Sequence, residues 1–287
     1  MQICRCHAIL TIPLFRYIDS RRCRAGLYRC VLMAHQTKWR ILYALFPILG
    51  VCGFFLRAAQ LRLGFTAAAL PRTDFPPAAA LAVLTAAMLI LAALLAQLPP
   101  PQDARSFHHT LYSSPHRILL RLCAALIALW GFALLYFDQP DGSFRLLAVA
   151  FCLLTALCLL LLSSSPTHAA LALAEITCCS TGWLAVLFSR HASDPVLPDF
   201  WPPLLALCAT SLSACFLTSA ACGWPKLRRT MFALLAGGTL CLIALADCCA
   251  VTFSPRFFAY LAAALWQLHG AFCLLFSSSP QTTHRSI

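Results

Sequence analysis

Apolar residues in this chain come in long unbroken runs, neither alternating with polar ones nor confined to one helical stripe. The runs are Ile41–Leu56, Ala78–Leu98, Ile118–Phe137, Leu146–Leu162, Ala169–Phe188, Leu204–Cys222, Met231–Phe253 and Phe257–Phe276. A helix needs about 20 residues to cross the hydrocarbon layer of a bilayer, so each run except the short first one is close to a full crossing. Pro, Gly, Ser or charged residues bound the runs, as they bound a buried helix. Backbone amides cannot go unpaired in lipid, and the period-two pattern of a barrel strand is missing, so the runs are read as helices. The expected fold is all-α: a polytopic integral membrane helix bundle of about eight transmembrane helices, with no extramembrane domain.

The segments between the runs carry a faint repeat. Ser113-Ser114-Pro115-His116, Ser163-Ser164-Ser165-Pro166, Trp224-Pro225 and Ser277-Ser278-Ser279-Pro280 place prolines 51, 59 and 55 residues apart, one helical hairpin each. Two alternate connections share a further theme, Leu70-Pro71 through Pro77 and Leu197-Pro198 through Pro203. Two tandem four-helix halves, 41–162 and 169–276, are one reading. Frequent Ser and Pro at helix ends are the other.

Composition fits the same class. The 287 residues are 61% hydrophobic and 10% charged, against about 25% charged in soluble domains. Arginine far outnumbers lysine and asparagine is absent, which leaves no Asn-x-Ser/Thr acceptor. Most of the 17 cysteines lie within apolar runs and none forms Cys-x-x-Cys. They read as small packing residues, not as a disulfide framework or a redox pair.

Residues 1–32 differ from the rest. Six arginines and four cysteines are scattered there without a sustained period. Two readings stand: a basic arm attracted to anionic lipid, or a segment ahead of an alternative start at Met33, which directly precedes the first apolar run. Cys4-Arg-Cys6-His7 lacks a second ligand pair and is not taken as a metal site. With the N-terminus inside, the inner segments hold 15 Lys and Arg against 6 outside, or 9 against 6 counting from Met33. Positive charge stays on the cytoplasmic side, so both termini are expected there, with the protein in the cell membrane.

A few polar residues need an explanation inside lipid, where a charge costs on the order of 3 kcal/mol. Glu175, Asp247 and His269 fall within the runs, and Arg57 ends the first one. At about 1.5 Å per residue, Glu175 and His269 lie at similar depths near one side, and Asp247 and Arg57 near the other. Two couples are therefore expected, Glu175 with His269 and Arg57 with Asp247. They would serve as a solute site or proton relay, or alternatively as paired contacts that fix helix register. An arginine ending a short span could instead reach to the headgroups.

Gly237-Gly238 in the seventh run is expected to permit a close helix crossing, the alternative being a local break that beside Asp247 would favour a transporter. Trp130, Trp183, Trp201, Trp224, Tyr112, Tyr136 and Tyr260 fall mostly near run ends and suit an interfacial belt. His108-His109 with His116 reads as a solvated loop. There is no phosphate loop, zinc helix or nucleophile turn, and with one glutamate in the chain, paired-carboxylate catalysis is scarcely available.

No catalytic residue, metal or cofactor is therefore assigned. Expected partners are membrane lipid and, in one reading, other membrane subunits, with no nucleic acid. Three functions remain in order: a small-solute permease or solute-binding membrane subunit, a noncatalytic scaffold or regulatory subunit, and an intramembrane enzyme. The last would need a nucleophile beside a base, such as a cysteine against His269, and no spacing in the chain promises it.

Overall fold

A computed structural model describes residues 43–64, 76–97, 114–137, 142–164, 168–191 and 201–276. The arm before Met33, Cys4-Arg-Cys6-His7 and His108-His109 lie outside them. Residues up to Leu45 form one unit, of which the description includes only the first turn of a helix; Phe46–Ile287 forms the other and contains the bundle.

The described residues form eight helices long and apolar enough to cross a membrane, and no strand. They are α1 (Tyr43–Leu63), α2 (Pro76–Gln97), α3 (Ser114–Phe137), α4 (Gly142–Ser164), α5 (Ala169–His191), α6 (Trp201–Ala221), α7 (Leu227–Ala244) and α8 (Arg256–Phe276). A 3-10 turn, Leu245–Cys248, continues α7. The protein is a polytopic all-α membrane bundle. Its outside confirms the solvent it is built for: Ile48, Phe55, Val83, Ile90, Ile118, Phe132, Leu146 and Leu171 all project outward, a surface that only acyl chains cover without cost.

Six helices close a ring. Each of α3 to α8 packs on its neighbour in sequence, and α8 returns to α3. Helices α1 and α2 lie against α7, which is the central element and the most buried of the eight. Contacts between α2 and α7, α3 and α8, and α4 and α5 join the two stretches 41–162 and 169–276.

Small residues bring these helices together. At Gly50 an added Cβ would lie 2.6 Å from Leu242, and at Gly53 2.6 Å from Ile243, so α1 can rest on α7 only without side chains there. The turn between α6 and α7 is closed by Gly223 at φ 88°. The Trp224 amide donates to Ser219 O at 2.9 Å and the Gly223 amide to Ala220 O at 3.1 Å, which satisfies the last carbonyls of α6. Glycine takes this left-handed backbone without penalty.

Two helix ends differ from the sequence expectation, and both differences move a charged residue. The first helix runs on to Leu63, so Arg57 stands inside it and not at its end. The seventh stops at Cys248 and not at Phe253, which puts Asp247 in the closing 3-10 turn. Hydropathy alone could not place either end: Arg57, Gln60 and Arg62 make the last turns of the first helix look like a boundary, and the residues beyond Cys248 are nearly as apolar as those before it.

Candidate functional site

The interior of the bundle holds four features with polar groups, each created where helices meet. The first is a clamp between α1 and the end of α7. Arg57 is 1% exposed, and its Nη2 donates to Asp247 Oδ1 at 2.6 Å, its Nε to both carboxylate oxygens at 3.2 and 3.3 Å, and its Nη1 to Gln60 Oε1 at 3.0 Å. One turn on, Arg62 Nε donates to Ala250 O at 2.8 Å. The structure thus brings Arg57 and Asp247 together as a forked, charge-assisted pair. Arg57 turns inward instead of reaching to the headgroups.

Glu175 and His269 are not brought together. Glu175 Oε1 accepts from Cys179 Sγ at 2.6 Å, one turn along α5, while its Oε2 has no partner among the described residues. His269 stacks on His116 of α3, with ring centroids 5.2 Å apart, and lies 3.3 Å from Cys273 Sγ. Equal depth was a sound guide for one couple and not for the other, because depth carries no information on which helices are neighbours.

His116 corrects a second expectation. It is not in a solvated loop but in the first turn of α3, only 1% exposed, with Nδ1 unpartnered among the described residues. His116, His269 and Cys273 place their donor atoms within 4.8 Å of one another. The cysteine beside His269 that no spacing seemed to promise is four residues along the same helix, where side chains share a face. No metal site was assigned from sequence, because His116 is remote in the chain and only the α3–α8 contact delivers it.

The third feature is centred on Gln267, which is fully buried and passed unremarked in the sequence. Its Oε1 accepts from Ser213 Oγ at 3.1 Å, and its Nε2 donates to Thr210 Oγ1 at 2.8 Å and approaches Cys241 Sγ at 3.7 Å. The cluster ties α6, α7 and α8 together. A Cβ at Gly237 would overlap Gln267 Oε1, and one at Gly238 would lie 2.7 Å from Leu268 Cγ. The two glycines therefore serve a close crossing of α7 and α8.

The fourth is a partly open cavity among the ring helices, with a volume of about 120 Å³. Its walls come from α3, α4, α5, α6 and α8, and Trp130, Phe151, Trp183, Tyr260 and Trp266 dominate them, with Thr155, Ser180 and Thr210 as small polar groups. Trp130 and Trp183 meet edge to face at 5.0 Å. These two indoles face the bundle interior, not an interfacial belt as expected, whereas Trp224 is exposed. Arg256, the first residue of α8, lines the cavity, and its Nε and the Trp130 Nε1 are buried without partners among the described residues. None of Arg57, Asp247, Glu175 or His269 is among the lining residues.

Comparison with known proteins adds no relative. No family model matches the chain, and neither a curated protein nor a solved structure matches it.

Proposed function

We propose that this multi-pass membrane protein binds a small amphipathic molecule in the cavity of the α3–α8 ring, with an apolar body among the indoles and an anionic or carbonyl head at Arg256. The observation that carries this reading is a pair of donors without partners among the described residues, Arg256 Nε and Trp130 Nε1, on a mostly apolar wall rich in aromatic rings. Buried donors are normally satisfied, so two in one cavity with no partner among the described residues fit an acceptor supplied by a bound molecule. A mostly apolar pocket with a few convergent polar groups is the usual form of a small-molecule site. A scaffold has no use for such a space. The arrangement lends no support to a proton relay, since Glu175 and His269 neither meet nor line the cavity.

The charge asymmetry of the loops supports a cell-membrane orientation with both termini cytoplasmic. Arg256 and the start of α8 would then lie on the outer side, and lipid acyl chains would cover the projecting apolar residues.

Tryptophan fluorescence of the full-length protein in detergent tests the reading directly, with a dibrominated fatty acid as quencher. Saturable quenching is expected, and it should vanish in Ala148→Phe, which fills space beside Trp130. Arg256→Gln should weaken binding of the acid about tenfold or more, the loss of ~1.5 kcal/mol for one hydrogen bond to a charged group. It should leave the corresponding alcohol nearly unaffected. Equal quenching of the filled variant would place the quencher in the surrounding detergent and end the proposal.

A further inference from the structure

The cluster at the start of α3 and the end of α8 is separate from the cavity, and its chemistry is different. His269 and Cys273 are held four residues apart on one face of α8, with Nε2 and Sγ 3.3 Å apart. A zinc ion with Zn–S of about 2.3 Å and Zn–N of about 2.0 Å in tetrahedral geometry sets its S and N ligands roughly 3.5 Å apart. The pair already stands at that spacing. A thiol-to-imidazole hydrogen bond would explain these two atoms equally well. It does not explain His116, which comes from another helix, is 1% exposed and leaves Nδ1 without a partner among the described residues. All three residues place donor atoms within 4.8 Å of one another, so rotation of the two stacked rings about their side-chain bonds is enough to converge them on one point.

We propose that His116, His269 and Cys273 form a binding site for a borderline divalent transition metal of the Zn2+ class. Two neutral imidazoles and one thiolate are ligands that Zn2+ favours over the hard cations, which take oxygen. Three protein ligands leave a fourth position for water or another small ligand. On binding, the S–H bond of Cys273 breaks, the sulfur bonds to the metal and the proton passes to solvent, so the bound ion carries a net single positive charge. The site also gives the α3–α8 contact, which closes the ring, a bond stronger than packing.

Full-length protein, purified without a histidine tag and stripped with chelator, is loaded with Zn2+ and separately with Co2+. Elemental analysis is expected to find one ion per chain. The cobalt form is expected to show a sulfur-to-metal charge-transfer band in the near ultraviolet. His116→Gln, His269→Gln and Cys273→Ser should each weaken binding at least about 100-fold, more than the loss of an outer-shell partner costs. Cys273→His should retain the ion yet lose the charge-transfer band, a signature that mere misfolding does not produce. A variant lacking Cys4, Cys6, His7, His108 and His109 should bind as the parent does. Absence of stoichiometric metal in the parent, or unchanged affinity and spectrum in His116→Gln/His269→Gln, would overturn the site. Neither outcome bears on the fatty-acid quenching at the cavity.

Discussion

At the level of single residues, the described bundle holds a buried arginine, Arg57, in a close ion pair with Asp247. Taking both charges out of water is costly, and the forked geometry with Gln60 recovers much of that cost. The net value of the pair is small, but the value of either partner alone is strongly negative. Asp247→Asn is therefore expected to destabilise the protein by about 3–5 kcal/mol, whereas Arg57→Met with Asp247→Leu should recover most of the loss. Thermal unfolding in detergent separates the two. A double variant no more stable than the single one would mean that the pair does more than neutralise itself. Arg57 was singled out from sequence because a charge in an apolar run is conspicuous. Gln267 was not, because an uncharged amide in such a run is not, although its burial and hydrogen bonds make it the centre of the α6–α7–α8 contact.

Among the elements, α7 organises the rest, and its two glycines explain how. With no driving force from water inside a bilayer, helices hold together by close packing and by polar contacts. Gly237 and Gly238 allow α8 to approach until the Gln267 amide lies where a Cβ would otherwise stand. Gly237→Ala is expected to push that amide off Ser213 and Thr210 and to cost about 1–3 kcal/mol, as overpacking of a filled core does. Gly182→Ala, with open space around it, should be neutral or slightly stabilising by helix propensity. The comparison of the two melting temperatures isolates the contact from the general effect of alanine. The existence of a close crossing at these glycines was legible from their adjacency in an apolar run. Its partner helix was not, since hydropathy says nothing about which runs touch.

For the molecule as a whole, the closed ring makes a cavity possible and the apolar exterior makes the bilayer its solvent. The distribution of Lys and Arg predicts that a reporter fused after Ile287 is shielded in intact cells and labelled only after permeabilisation. Labelling from outside would invert the bundle and place Arg256 on the cytoplasmic side. The class of the protein, the number of its spans and their approximate ends follow from the sequence alone, because in lipid the backbone has one economical form and a run of about 20 apolar residues must take it. Everything that depends on neighbourhood came from the tertiary structure. It alone decided that Asp247 meets Arg57 while Glu175 misses His269, that His116 is buried beside Cys273, and that indoles suited to a membrane interface line an interior space. The physical reason is common to all four. An apolar run looks the same from every side in the sequence, and only packing against specific neighbours gives a membrane helix an inside and an outside.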